Sequence, residues 1–380
     1  MKVKILQESL NRGLGLASRI VQTHPSLPVL GNVLLEAKDN KLFLSATNLE
    51  VGMILKLKAQ VLEEGKISVP ARLLAEFINS LPPAEIKLEL QGKTLEISTQ
   101  THRSTLNGIE AGEFPPLPQI QGEAVLKIKN TIFDTAINQV VFAAATDEGR
   151  PVLSGVLLTG EADNLVLVAT DGFRLSHKIV TQKVHPLASG QLKYILPARG
   201  LLEVGRVLGE KEFLGEASEV ELGLTQDQNQ MIFKLSSAEI SCRLLEGQFP
   251  DFKKIIPKMF VSRAILEREE ISKAVKLASI FARDSANVIH FLFDPSQKKV
   301  SVDAQTKELG QSQTEIEGSL EGDPLEIAFN ARFITEILAV LDSEQVSLEL
   351  SGALSPAQIK AVGEQTFFHI LMPIRTETGQ

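Results

Sequence analysis

The chain has 380 residues, room for two to four domains of ordinary size, and its single cysteine, Cys242, excludes an internal disulfide framework. It holds no run of about 18 apolar residues, and the start Met1-Lys2-Val3-Lys4-Ile5-Leu6 turns polar at Gln7-Glu8. Neither a membrane span nor a signal peptide is therefore expected, and the location implied is cytoplasmic with no membrane partner. The formal net charge of -8 argues against bulk attraction to nucleic acid, which rests on Lys and Arg, and leaves a local basic surface on an acidic body.

In chain order, the first periodic segment reads as a helix. Leu10, Leu14, Ala17 and Val21 share one stripe, with Arg12 and Arg19, seven apart, on the opposite side. Val33-Leu-Leu-Glu-Ala37 and Lys41-Leu-Phe-Leu-Ser45 alternate as strands. Pro70 then fits the first turn of a second helix, where a missing N–H costs nothing, and Ile86-Lys-Leu-Glu-Leu90 and Leu95-Glu-Ile-Ser-Thr99 are further strands. A helix is expected over Thr131–Ala145. It carries no basic residue, although Lys127 and Lys129 precede it. After Pro197, Leu201 and Leu208 face the core with Arg199 and Arg206 opposite. From Glu269, the apolar stripe is Ile271, Val275, Ala278 and Ala282, with Lys273 and Lys276 opposite and Arg283 off to that side. Ile280 falls on the basic side with Phe281 beside it, and a large apolar residue on a polar face suggests a contact surface. Asn330 is a good N-cap for a last helix that begins with Ala331-Arg332.

These segments repeat. Ile67-Ser-Val-Pro-Ala-Arg72, Ile195-Leu-Pro-Ala-Arg199 and Ile327-Ala-Phe-Asn-Ala-Arg332 each lead into an apolar helix. Leu42-Phe-Leu-Ser-Ala46-Thr matches Leu165-Val-Leu-Val-Ala169-Thr and, more weakly, Val300-Ser-Val-Asp-Ala304. Gly112-Glu-Phe-Pro matches Gly247-Gln-Phe-Pro. Nearly equal spacing of three features implies three copies of one domain, over residues 1–120, 121–257 and 258–380. A unit this long is no solenoid repeat, and each copy can hold its own core. The fold class expected is α+β, each copy being two helices plus two sets of short antiparallel strands. Any single basic helix face is ordinary solvated surface. Its recurrence in repeated units points to helices that line one common surface.

Five motifs, in order along the chain, resemble the signatures of bacterial sliding clamps: Leu27-Pro-Val-Leu-Gly-Asn32, Gly149-Arg-Pro-Val-Leu-Ser-Gly155, Ala169-Thr-Asp-Gly-Phe-Arg-Leu175, Glu246-Gly-Gln-Phe-Pro-Asp251 and Met372-Pro-Ile-Arg375. The resemblance implies a DNA sliding clamp, the processivity factor of the replicative DNA polymerase. Three DNA-clamp domains per chain would assemble head to tail into a homodimeric six-domain closed ring around duplex DNA, without a catalytic site, cofactor or small-molecule substrate.

A clamp must slide, so diffuse phosphate attraction suits it and base readout does not. The candidate contacts are Arg12, Arg19, Arg72, Arg199, Arg206, Lys273, Lys276 and Arg332. The family's DNA-contacting arginine before the first motif is here His24, and a neutral imidazole binds phosphate poorly near pH 7. The resemblance also implies an apolar groove for peptides of replicative and repair polymerases and of the clamp loader. Its lining would be Leu153, Thr170, Gly172, Arg174, Leu175, Pro250, Ile255, Ile370, Leu371, Met372, Pro373 and Arg375, with Thr376–Gln380 close by. For the dimer interface it implies Ile280 and Phe281 facing a strand near Leu106, where Ser104 stands in place of an aromatic residue.

Enzyme readings lose ground on spacing. His24, His102, His177, His185, His290 and His369 show no metal-ligand pattern, and no nucleotide fingerprint is present. Asp171, Ser176 and His177 are near in sequence, which does not make a triad. Cys242, among alternating residues, reads as buried and inert. The competing reading is a non-enzymatic three-domain interaction scaffold that does not encircle DNA.

Overall fold

A computed structural model describes residues 1–120, 124–147, 149–161, 164–180, 192–214, 218–306 and 310–375. His185 and Thr376–Gln380 lie outside the described residues. Seven α-helices are described: α1 (Gln7–Ile20), α2 (Ala71–Ser80), α3 (Asn130–Val140), α4 (Ala198–Gly209), the short α5 (Lys211–Leu214), α6 (Arg268–Ala282) and α7 (Ala331–Val340).

Three expectations need correction. Each copy opens on a strand rather than a helix: Lys2–Leu6, Leu126–Lys129 and Ser262–Glu267 run directly into α1, α3 and α6. Their alternation of buried and open positions is short and lies flush against the helical pattern, which hides it. The helix expected over Thr131–Ala145 ends at Val140 and loosens into a 3-10 turn at Val141–Ala143. Two consecutive β-branched residues stand at that point, and the Ala145 N–H is engaged by the Leu153 carbonyl at 2.8 Å. Pro70 and Pro197 do not lie within a helix. Each is the last residue of a strand, paired with Asn32 and Gly155, and its helix starts at the following alanine. Asn330 does cap α7, its side chain accepting from the Arg332 N–H at 3.0 Å.

The helices pack as their stripes dictate. Leu10, Leu14, Ala17 and Val21 of the first stripe are all buried, as are Ile271, Val275, Ala278 and Ala282 of α6. α1 lies close to its sheet: a Cβ on Gly13 would come within 2.8 Å of a Leu44 methyl, which would have to shift to admit it.

By contacts the chain divides into two compact units. Over the described residues, one comprises those of 1–134 and 199–244, the other those of 135–180, 192–198 and 245–375. The division follows the sheets. In the first unit, strand Ala238–Arg243 of the second copy joins strand Val51–Lys58 of the first, completing an eight-stranded sheet. In the second unit, strand Phe367–Leu371 of the third copy joins strand Arg174–Val180 of the second, within a twelve-stranded sheet. The two edges equivalent to those joined strands have no such neighbour among the described residues. Strand Arg103–Asn107 ends the five-stranded sheet of the first unit. The long strand Gly310–Gly322 of the second unit pairs over Gly310–Glu317 only with strand Lys299–Thr306.

Candidate DNA face, groove and interface edges

All nine candidate DNA contacts are exposed. Arg12, Arg19, His24, Arg72, Arg199 and Arg206 belong to the first unit, and Lys273, Lys276 and Arg332 to the second. Within the first unit α1 packs on α2, where Asn11 donates to Asn79 at 3.1 Å. It also meets α5, where Glu212 receives the Ser9 hydroxyl and lies 3.5 Å from Arg12.

Sequence reasoning missed how many of these cations face an acid. Arg12 has Glu212, Arg206 has Glu203 one turn away, Lys273 has Glu270 at 3.0 Å, and Arg332 donates to Glu336 at 2.7 Å. The Glu270 carboxylate holds Lys273 above the ordinary lysine range, and Glu336 raises Arg332 likewise. Arg19, Arg72, Arg199 and Lys276 have no ion pair among the described residues. The i,i+3 and i,i+4 spacings of three of these pairs were readable in the sequence. The pair between α1 and α5 was not.

The candidate groove residues all lie in the second unit. The strand register sets Arg174 opposite Leu371 and Leu175 opposite Ile370. Leu153, Thr170, Arg174, Leu175, Ile370 and Leu371 are buried, whereas Gly172, Pro250, Ile255, Met372 and Arg375 are exposed, with Pro373 between. The turn ahead of Arg174 is held by its own side chains. The Asp171 carboxylate accepts the Phe173 and Arg174 N–H groups at 2.9 and 3.0 Å, the Thr170 hydroxyl accepts Gly172 N–H at 3.1 Å, and Gly172 takes a left-handed φ of 93°. Arg174 is buried with its charge answered on every side. It donates to Asp171 at 3.0 Å, to Glu336, and to the Phe142 carbonyl at 2.7 Å, and its guanidinium lies 4.3 Å from the Phe333 ring centroid. Phe173, which the sequence reading passed over, is 62% exposed at the turn, and its carbonyl accepts the Met372 N–H at 2.9 Å. Its signal was an aromatic between a glycine and a charged residue, a position a core side chain rarely takes.

Of the candidate interface residues, Leu106 is half-buried on the edge strand of the first unit, Ile280 is half-exposed on α6, and Phe281 packs against the core. Leu277, three residues before Ile280 and 51% exposed, extends the same helix face and was also missed.

The Asp171, Ser176 and His177 trio is dispersed. His177 stacks on Phe368 at 4.6 Å, and the fully buried Ser176 hydroxyl meets His369 Nδ1 at 2.7 Å. Burial pushes His369 down to about 3, with Arg174 adding to the shift. Burial likewise pushes the Cys242 thiol up to about 12. Among the described residues no cluster of His, Cys, Asp or Glu could hold a metal ion, and no helix is long and apolar enough to cross a membrane.

Comparison with known proteins adds three family models without overlap. The N-terminal, central and C-terminal domains of the DNA polymerase III beta subunit match residues 1–118, 127–251 and 253–375. The chain is 29% identical over 378 residues to a beta sliding clamp of Synechococcus elongatus, covering 99% of each. It is similar to the crystal structure of the DNA polymerase sliding clamp from Bacillus subtilis, with a TM-score of 0.87, 25% identity and 99% of both chains covered. It is also similar to the DNA polymerase III beta subunit of Pseudomonas aeruginosa, with a TM-score of 0.85, 28% identity, and 99% and 100% covered.

Proposed function

The chain belongs to the family of DNA polymerase III beta subunits, the bacterial sliding clamps, and on that premise we propose that two copies close head to tail into a ring around duplex DNA. Its function is that of a DNA sliding clamp, built from three clamp domains of mixed helix and antiparallel sheet. The domains are proposed to span 1–120, 121–257 and 258–380.

One observation carries the ring. The alanine repeated at 46, 169 and 304 faces Met53, Ser176 and Ser312 on the next strand. Met53 faces Ile240 across the first joint, and Ser176 faces His369 across the second. Three copies make two such joints and leave one of each edge over. Ser104 holds the place of Ile240, since each lies opposite the matching residue of its hairpin, Ile97 and Phe233. Carried over to a second copy, the same register would set Ser312 opposite Ser104 of the partner subunit and Gly310 opposite Leu106 of the partner subunit. Edges of different kind on one chain favour a heterologous, head-to-tail contact, and their pairing removes two exposed strand edges. Leu277 and Ile280 would add apolar contact beside it.

The exposed Arg and Lys residues would attract phosphates without reading bases, and the acidic remainder would discourage DNA from other faces. A rim of Gly172, Phe173, Pro250, Ile255 and Met372 over buried residues would suit short apolar peptides of polymerases and of the clamp loader. The protein would act as an accessory subunit without chemistry of its own, in the cytoplasm. The test is retention on circular against linearised DNA, with clamp loader and ATP, followed by a salt wash. Survival on circles with loss from linear DNA is expected. Equal loss from both would leave the interaction scaffold as the better reading.

A further inference from the structure

We infer that Glu203 and Glu212 are attenuators of the DNA face, carboxylates that hold Arg12 and Arg206 back from phosphate and so keep the clamp's grip on DNA weak. The inference rests on the reading of this face as the one that meets DNA.

Four features of the first unit carry it. Arg12 on α1 has an acid on α5, Glu212 at 3.5 Å, and Arg206 on α4 has Glu203 one turn before it, a carboxylate that also feels the charge of Arg19. Glu203 is recessed, its side chain only 12% exposed, while the Arg206 side chain it holds is 40% exposed. One oxygen of Glu203 is buried with no hydrogen-bond partner, so its charge depends on the arginines for compensation. Burial accordingly raises Glu203 above the ordinary carboxylate range, with Arg206 and Arg19 pulling the other way. The acids are thus fixtures of the helix surface, and the arginines are the groups that must move if DNA is to recruit them.

Binding to duplex DNA draws its strength from counterions released for each phosphate neutralised, with a slope of roughly 0.9 per contact in log K against log salt. An arginine already neutralised by a neighbouring carboxylate releases little when it meets a phosphate. Arg72 and Arg199, which have no ion pair among the described residues, then act as the main phosphate contacts, and Arg12 and Arg206 contribute only in part. A face with full use of all its arginines would bind duplex tightly enough to impede sliding.

The experiment is fluorescence anisotropy of the full chain with a short linear duplex, which reports electrostatic affinity without topological capture, over a series of salt concentrations. Glu203→Gln and Glu212→Gln are each expected to tighten binding about 3- to 10-fold at low salt and to steepen the salt slope by up to about 0.9. Glu8→Gln serves as the control for loss of one negative charge, since Glu8 is exposed in the first turn of α1 and holds no arginine. It should change affinity less than about 2-fold, and the effect of Glu203→Gln should fall to about that of this control in an Arg206→Ala, Arg19→Ala background. Equal, small effects of all three glutamine variants, with Arg199→Ala still weakening binding, overturn the attenuator role and leave the DNA face standing. If Arg199→Ala also changes nothing, the DNA reading of this face falls, and the inference with it.

Discussion

The joint between strands Val51–Lys58 and Ala238–Arg243 and the pair of free edges at Arg103–Asn107 and Gly310–Glu317 use one backbone plan with different side chains. On the core side of the joint stand Val51, Met53, Leu55, Ala238, Ile240 and Cys242, none more than 5% exposed. The corresponding positions of the edges are His102, Ser104, Leu106, Gly310, Ser312 and Thr314. A backbone ladder contributes equally in both. The side chains do not, because burying a residue such as Ile or Met is worth about 2 kcal/mol and burying Ser or Gly is worth little. The contrast teaches that pairing geometry is common to both, while permanence is set by what projects beneath it. The joint within the chain is built to stay shut, and the proposed joint between chains to part and re-form.

The largest test of that contrast is a charge placed at matching positions. Ile240→Asp buries a carboxylate without a partner and should cost the folded chain about 4 kcal/mol or more, read as a large fall in Tm. Ser104→Asp, at the equivalent place on the free edge, should leave the chain's Tm within a degree or two and instead shift the dimer toward monomer in sedimentation. A Ser104→Asp chain as unstable as Ile240→Asp would show that the edge is not a free surface.

The second joint sharpens the comparison through pH. Across it Ser176 faces His369, a fully buried imidazole held down to about 3. Because the folded state resists the proton that the unfolded chain accepts near 6.5, this group's contribution is full above that pH and is lost progressively as pH falls toward 3. Between pH 6.5 and 5 the loss is about 2 kcal/mol, at roughly 1.4 kcal/mol per pH unit. His369→Gln should remove that portion of the acid destabilisation, seen as a flatter Tm against pH than the parent chain. On the core side of the first joint the titratable group is the Cys242 thiol, which burial pushes up to about 12 and which stays protonated throughout the acid range, so apolar substitutions there should leave the slope unchanged.

Much of the fold was legible because it is local. The 3.6-residue stripes of α1 and α6, the Ala-Arg pairs and the repeated alanines are patterns within a few residues of one another, and they were enough to count three copies. What was hidden is non-local. Nothing near Met53 announces Ile240, nor Ser176 His369, since register across nearly two hundred residues is set by the whole sheet rather than by either strand. The candidate sites divide the same way. Arg12, Arg199 and Lys273 were found from helix faces, but that Glu212 would neutralise one of them depended on how α5 meets α1. That the proposed groove residues divide into buried and exposed ones depended on the strand carrying Arg174 and that carrying Leu371 lying side by side.

The finest test converts one kind of joint into the other. Ser104→Ile with Ser312→Val would place in the proposed interchain pair side chains like those of Ile240 and Met53. Pairing of two apolar side chains on one face is worth up to about 1 kcal/mol beyond what either contributes alone, and partial burial adds a similar amount. The closed ring has two such interfaces, so net stabilisation of about 1.4 kcal/mol at each would tighten the dimer roughly a hundredfold. The dissociation constant by dilution-dependent sedimentation gives the magnitude, and the two single variants give the coupling. A non-additive gain is expected only if residues 104 and 312 face each other in the register carried over from the intrachain joints. Strictly additive effects would mean that the edges pair out of that register, since a slip of one residue turns one of the two side chains to the opposite face of the sheet.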